Sequence, residues 1–300
     1  MSKPARLAVG VISAGRVGAV LGAALHRVGH HVVAASAVSK DSVGRAAELL
    51  PGVPLVSPDQ VAARADLVLL AIPDDALAGT VRGLVATESL RAGQIVLHTS
   101  GAHGVDVLAP AAGVGVLPLA VHPAMTFTGR PEDLQRIAAC SFGITAPDAE
   151  ETAWHVAEAL VMEVGGEPVR VPQAARPIYH AALTHGANHL ITLVNECVDL
   201  LRSAGIGGTG PGAPERLIGP LLSAALDNAL RHGDRALTGP VARGDVGTVR
   251  THLSALADTA PEVLPSYREL AARTATRAVS AGLLSPGAAD EVRATLREEP

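Results

Sequence analysis

A chain of 300 residues, 48 % of them hydrophobic and 18 % charged, holds enough apolar surface for a large core and is not a disordered segment. Its formal net charge of −5 leaves no basic footprint, which argues against nucleic acid as the main partner and against docking on an anionic membrane. Aromatic residues make up only 2 %, so Ala, Val, Leu and Ile must build the interior.

The two cysteines, Cys140 and Cys197, form no C-x-x-C pair, so neither a disulfide framework nor a thiolate metal site is expected. A reducing compartment, the cytoplasm, is the expected location. Lys3 and Arg6 ahead of an apolar run imitate a signal peptide, but the run at 7–12 is too short and Arg16 soon interrupts it. No stretch of roughly 18 apolar residues occurs, so no membrane-spanning helix is expected.

The first half alternates short apolar runs with segments of helical composition. Strands are expected at residues 6–12, 31–37, 67–72, 94–99, 114–121 and 141–146, with an edge strand at 169–171, and helices at 17–28, 42–50, 75–87 and 149–164. This alternation predicts βαβ units and hence an α/β fold, a Rossmann-type doubly wound parallel sheet covered on both faces. After Pro172 the pattern turns helical, broken by loop signals at 205–214 and 238–245. The organisation expected is a dinucleotide-binding domain at 1–172 followed by an all-helical C-terminal domain at 173–300.

The first strand runs into Ser13-Ala14-Gly15-Arg16-Val17-Gly18, a dinucleotide-binding fingerprint with Ser in place of its first glycine. Gly15 lets the backbone approach a diphosphate, Gly18 lets the helix pack on the strand, and the helix start offers free N–H groups to the phosphate. An NAD site usually has an acid at the end of the second strand. Here that strand ends Ala35-Ser36-Ala37-Val38-Ser39-Lys40, and Ser39 and Lys40, helped by Arg45, suit a 2′-phosphate instead. NADP is therefore favoured over NAD.

Ligands in open α/β sheets lie beyond the carboxyl ends of the strands. The third strand ends near Ile72 in Pro73-Asp74-Asp75, where the acids either line the cofactor or cap the next helix. The fourth ends in His98-Thr99-Ser100-Gly101-Ala102, whose small residues would expose amides to a substrate carboxylate. The fifth ends in His122-Pro123 ahead of a polar, loop-like stretch. Each histidine is either functional or a satisfied strand-end residue, and the second reading is the stronger for His98.

The helix beginning near Pro177 has no Lys or Arg through Leu201, yet His185, Asn188, His189 and Thr192 share one face. That stripe reads either as the wall of a buried cleft or as a helix–helix or subunit interface. No third ligand accompanies His185 and His189, so no metal is expected. Farther on, Arg243 could clamp a carboxylate or phosphate, or be solvated while Asp245 caps the following helix.

Together, Ser13–Gly18, Pro73-Asp74-Asp75, His98–Ala102, His122-Pro123, the Tyr179–His189 helix and the Leu237–Asp245 loop resemble bacterial proteins that pair a Rossmann-like domain with the C-terminal domain of unknown function 2520. The resemblance covers nearly the whole chain. That family in turn resembles the superfamily of pyrroline-5-carboxylate reductase, prephenate dehydrogenase, 3-hydroxyisobutyrate dehydrogenase and ketopantoate reductase. It implies NADP binding and a homodimer built through the helical domains. Asn188 fits the Asn that the hydroxyacid dehydrogenases and ketopantoate reductases carry, but Thr184 stands where they have a catalytic Lys. His122-Pro123 resembles the histidine–proline pair of prephenate dehydrogenases.

The function expected is an NADP-dependent oxidoreductase that reduces a small carboxylate-bearing carbonyl such as a 2-oxo acid. Asn188 would polarise the reacting bond, His185 or His189 would donate the proton with His122 as a further candidate, and Ser100 would hold the carboxylate. An imine or pyrroline-carboxylate reductase, or an NADP-binding sensor without turnover, are the alternatives.

Overall fold

The computed structural model describes residues 6–147, 151–206 and 212–298. Lys3, the first two positions of the helix expected at 149–164, and the centre of the 205–214 loop signal lie outside the described residues.

In the first part of the chain, strands β1 (Ala8–Ile12), β2 (His31–Ala35), β3 (Leu67–Leu70), β4 (Ile95–His98), β5 (Leu117–Pro123), β6 (Ser141–Thr145) and β7 (Glu167–Arg170) form one seven-stranded sheet in the order β2-β1-β3-β4-β5-β6-β7. The central strands are continuous aliphatic runs, as strands buried on both faces must be. Their connections carry α1 (Arg16–Arg27), α2 (Lys40–Leu49), α3 (Pro58–Arg64), α4 (Asp74–Ala86), α5 (Ala109–Ala112), α6 (Asp133–Arg136) and α7 (Glu151–Glu163). An isolated parallel bridge between Ala35 and Leu55 marks where a further strand would extend the sheet beyond β2.

One apolar layer, including Val20, Leu25, Leu119, Phe142 and Leu160, covers one face of the sheet. A second, including Val61, Leu70, Leu77, Val81 and Leu108, covers the other. The chain goes from β1 outward to β2, then crosses back to β3, so the crevice between the carboxyl ends of β1 and β3 is the switch point of the topology.

The structure departs from the expected elements in several places: the 238–245 stretch, read as a loop, holds a short helix at Gly239–Arg243, and α5 was not expected. The sheet is mixed, because β5 and β6 pair antiparallel. Their connection holds only the one-turn helix α6 and a short 3₁₀ segment, whereas β6 and β7, joined through the 13-residue α7, pair in parallel. His122 and Pro123 lie within β5, paired with Gly143 and Phe142, and not in a loop. Helix α3 was not expected; its seven residues show too little periodicity, and only its first-turn Pro58 signals it.

The chain divides into two compact units, Met1–Ala187 and Asn188–Pro300. The division falls within α8 (Arg176–Ser203), later than the 172/173 boundary read from composition. The first turns of α8 are anchored in the first unit by Arg176, which is 1 % exposed. The second unit continues with α9 (Ala213–His232), α10 (Gly239–Arg243), α11 (Val246–Thr259), α12 (Leu264–Ser280) and α13 (Pro286–Arg297). Val249, Leu253, Ala275, Ala278, Val292 and Leu296 give α11–α13 a small core of their own. Among the described residues, no helix is long and apolar enough to cross a membrane.

Candidate active site

At the end of β1 the chain turns at Ser13, whose φ of +74° is the left-handed value that a glycine adopts freely. Hydrogen bonds hold the strained turn. The Ser13 N–H donates to Ser36 Oγ at 2.9 Å, and the Ala14 N–H donates to the Ser36 carbonyl at 2.7 Å. A Cβ on Gly18 would collide with the Ser13 carbonyl oxygen and stand 2.9 Å from Ala71 Cβ, so only glycine lets α1 start this close to the turn. Gly15 caps α1 without a side-chain hydrogen bond, and the first turn has no acid. The leading amides of α1, at Arg16, Val17 and Gly18, are left to an outside acceptor at the positive end of the helix.

Ser39 caps α2. Its Oγ accepts from the Ser42 N–H at 3.1 Å and donates to Ser42 Oγ at 3.0 Å, so the hydroxyl is spent locally. Lys40 opens the helix and is exposed. Arg45 and Arg16 both close on Gly129, where an added Cβ would meet Arg45 Nε at 2.9 Å and Arg16 Cγ at 3.0 Å. The Gly129 turn is held by buried Asp133, whose Oδ2 accepts from the Gly129 and Thr128 N–H groups at 2.8 Å each. Among the described residues, Arg16, Lys40 and Arg45 form no ion pair with a carboxylate.

Beyond β3, the Ala71 N–H donates to the Ile12 carbonyl at 3.1 Å, which sets the Ile72–Pro73 turn beside the Ser13 turn. Pro73 caps α4, and Asp74 and Asp75 lie in its first turn without forming a side-chain cap. Thr99 follows β4 and donates its N–H to the Leu70 carbonyl at 3.2 Å.

His98 and His122 end adjacent strands and are built differently. His98 is fully buried, with Nε2 2.9 Å from the Gly104 carbonyl and Nδ1 accepting from the Ser100 N–H at 3.2 Å. Burial drives its pKa down to about 4, so it is a neutral ring that shapes the loop. The Ser100 amide is thereby consumed, its carbonyl accepts from Arg176, and its Oγ accepts from the His103 N–H at 3.1 Å, leaving only its hydroxyl proton to offer. The next two amides, of Gly101 and Ala102, have no acceptor among the described residues.

His122 is half-buried and places Nδ1 2.9 Å from the Tyr179 hydroxyl, edge-on to that ring and to His180. Burial, then the charge of Arg176, hold its pKa near 4 as well. Arg176 lies behind the pair. Its Nε donates to Thr145 Oγ1 at 2.8 Å, and its terminal nitrogens donate to the carbonyls of Ser100, Ala120 and Gly143 at 3.2, 3.0 and 3.0 Å. Every one of these acceptors is neutral. Burial pulls the Arg176 pKa down to about 10, which leaves it charged at neutral pH.

Sequence reasoning missed Arg176, Tyr179, His180 and Asp133. Two signals were legible: an arginine standing at the head of a helix with no further Lys or Arg through Leu201, and the use there of one of only two tyrosines in the chain.

On α8, His185, Asn188, His189 and Thr192 share a face and are exposed in the single chain. Asp245 caps α11, accepting from the Thr248 N–H at 3.0 Å and from Thr248 Oγ1 at 2.7 Å, while Arg243 is exposed. Among the described residues, no three His, Cys, Asp or Glu side chains group as metal ligands.

The Rossmann-like domain model matches residues 1–123, and the model of the domain of unknown function DUF2520 matches residues 140–274. The chain belongs to the family that joins these two domains. No curated protein matches its sequence. Among solved structures, this DUF2520 protein is similar to a Bacteroides fragilis protein provisionally classed as an NADP oxidoreductase (21 % identity, TM-score 0.76, covering 90 % of this chain and 98 % of that one). It is also similar to the reductive aminase of Aspergillus terreus in complex with NADPH and ethyl-5-oxohexanoate (17 % identity, TM-score 0.64, 96 % and 99 % covered). A third likeness is to the Plasmodium falciparum pyrroline carboxylate reductase with NADP bound (12 % identity, TM-score 0.56, 96 % and 98 % covered). At these identities the likeness establishes the fold.

Proposed function

We propose that this DUF2520 protein is an NADP-dependent reductase acting on the carbonyl of a small 2-oxo acid. The observation that carries the reading is the uncapped, acid-free start of α1 at the switch point of the sheet. It is supported by two neighbours of the same fold that are solved with NADP or NADPH. When bound, the reduced dinucleotide supplies the hydride. Ser13, Ala14 and Gly15 with the amides of Arg16, Val17 and Gly18 would hold its diphosphate, and Ile72, Pro73 and Thr99 end the strands beside them. Arg16, Lys40 and Arg45 would hold the 2′-phosphate, with Ser39 acting as the cap of the helix that carries two of them. No acid ends β2 to favour NAD.

The unpartnered amides of Gly101 and Ala102 and the Ser100 hydroxyl proton suit a substrate carboxylate, and His122 supplies a proton donor. Arg176 supports the carbonyl reading over the imine one. A buried cation without a counter-ion sets a positive potential at the strand ends, which favours an anionic 2-oxo acid over a protonated, cationic imine. His185, Asn188 and His189 stay in the proposal on the strength of their shared helix face. We assign the chain to the cytoplasm on its two unpaired cysteines.

We also propose a homodimer formed through the helical region. In α9 only Pro214 is buried, while Leu217, Leu221, Leu226 and Leu230 are 58 %, 67 %, 54 % and 79 % exposed. Leu217 and Leu221 lie on the side opposite Leu226 and Leu230, and a helix apolar on both sides must be enclosed.

The test is titration with NADPH and NADH followed by a panel of 2-oxo acids and cyclic imines. NADPH should bind at least 10-fold tighter than NADH, and Arg45→Ala should erase most of that preference while leaving NADH binding unchanged. A 2-oxo acid should be reduced fastest. Binding without oxidation of NADPH by any substrate would favour a sensor. If neither dinucleotide shifts the thermal melt, the reductase reading is overturned.

A further inference from the structure

The reductase reading requires a proton donor, and the cluster around His122 is built more specifically than a strand-end histidine needs. Two glycines make room for it. A Cβ on Gly101 would stand 3.0 Å from His122 Nε2 and 2.6 Å from His180 Cδ2, and a Cβ on Gly143 would run into the Tyr179 hydroxyl. The ring thus has one nitrogen on Tyr179 and the other facing the bare backbone of Gly101.

Tyr179 has a defined role in that pairing. Burial pushes the Tyr179 hydroxyl above its ordinary value, so it keeps its proton at rest, while the Arg176 guanidinium, 5.6 Å from the ring centre, and the Gly143 backbone act in the opposite direction on its oxygen. Both groups offer positive charge to the oxygen, so the hydroxyl proton is directed to the remaining neighbour, His122 Nδ1. A neutral ring that accepts at Nδ1 carries its own proton on Nε2. Arg176 has no carboxylate partner to account for its burial, yet its charge is placed where a tyrosinate would form.

Resting on the reductase reading, we infer that Arg176, Tyr179 and His122 form a proton relay that ends at His122 Nε2, above Gly101. As negative charge develops on the substrate oxygen, the Nε2 proton moves to that oxygen. The Tyr179 hydroxyl proton moves to Nδ1, and the tyrosinate left behind is held by Arg176 and the Gly143 amide until solvent returns its proton. Charge balances at each stage, and the imidazole stays neutral throughout. His122 is the catalytic residue; Tyr179 and Arg176 position and recharge it. The charged and titratable groups facing His122 are Arg176 and His180, which oppose its protonation, Tyr179, and the more distant Asp74, which favours it. His98, on the adjacent strand, cannot substitute, since both of its nitrogens are engaged.

The experiment combines nitrogen NMR of histidine-labelled protein with steady-state kinetics on the wild type, Tyr179→Phe and His122→Gln. In the wild type, His122 should show the Nε2–H tautomer and no protonation between pH 5.5 and 8.5. Tyr179→Phe should lose that single tautomer and lower kcat about 100-fold, with NADPH affinity changed less than about twofold. His122→Gln, which keeps an N–H donor without a relay, should fall at least as far. An Nδ1–H ring in the wild type, titration of His122 near pH 6.5, or wild-type kcat in Tyr179→Phe would each overturn the relay. The NMR result stands apart from substrate, so a correct tautomer in a protein that binds no dinucleotide overturns the reductase reading and not the built pair.

Discussion

Helices α1 and α9 are both rich in Leu and Ala, and the chain treats them in opposite ways. Gly18 through Leu25 of α1 are all buried, pressed on β1 and β3 by the absence of a side chain at Gly18. Of the 20 residues of α9, only Pro214 is buried. The first unit buries most of its apolar surface against its own sheet, and its proposed site is made of backbone amides and histidine rings at the strand ends. The second closes a small core among α11–α13 and leaves the leucines of α9 exposed. The difference teaches that one half of the molecule is complete as a fold, while the other, on the homodimer proposed above, is completed by a second copy.

Leu221→Glu combined with Leu226→Glu is the most direct way to break that contrast, because it places a charge on each side of α9. If a second copy encloses the helix, each buried carboxylate costs several kcal/mol, and the dimer should weaken by well over 100-fold. Sedimentation equilibrium at micromolar concentration should show the wild type at twice the 30.4 kDa chain mass and the variant at the chain mass. A wild type that sediments as a single chain would remove the assembly argument, and α9 would need another account.

Acid should sharpen the contrast from the other side. His98 and His122 stay neutral in the fold down to about pH 4, while their ordinary value is 6.5. Between those values the unfolded chain binds protons that the folded chain refuses, so stability falls as pH drops from 6.5 towards 4. Each shift, fully developed, is on the order of 3 kcal/mol. Among the described residues, the second unit buries no histidine, so this loss belongs to the first. Urea unfolding at pH 7 and pH 4.5 checks it: His98→Gln should lower stability at pH 7 and reduce the change between the two pH values. An equal change in wild type and variant would mean that His98 is protonated in the fold.

What could be read in advance follows the same division. The strands of the first unit were legible because buried strands are uninterrupted aliphatic runs, and Ser13–Gly18 because close backbone approach demands small residues at fixed spacing. The direction of β6 was not legible, since it depends on how the 124–140 connection folds, and that segment has no periodicity. Ser39 was read as a ligand, although a serine just before a helical pattern is also a cap, and the structure uses it as one. Arg176 and Tyr179 stood out by type and position, but their role was not legible because it lies in partners 31 to 76 residues away for Arg176 and 57 residues away for Tyr179. The α8 stripe was visible as a pattern, but a pattern does not reveal what faces it.

The smallest effect concerns the turn from α10 into α11, where the roles of Arg243 and Asp245 can be separated. Asp245 spends both carboxylate oxygens on Thr248, whose hydrogen bonds hold its pKa below the usual carboxylate value. The contribution is therefore present above that usual value and is lost as pH falls through the lowered one. Asp245→Ala should lower the Tm of the helical unit by a few degrees and leave NADPH binding alone, the ordinary consequence of removing a helix cap. Arg243 carries no such structural duty, so Arg243→Ala should leave Tm unchanged. If it nonetheless raises KM for a 2-oxo acid, the exposed guanidinium serves a ligand. If both variants lose stability together, the turn is a single structural unit and Arg243 has no separate task.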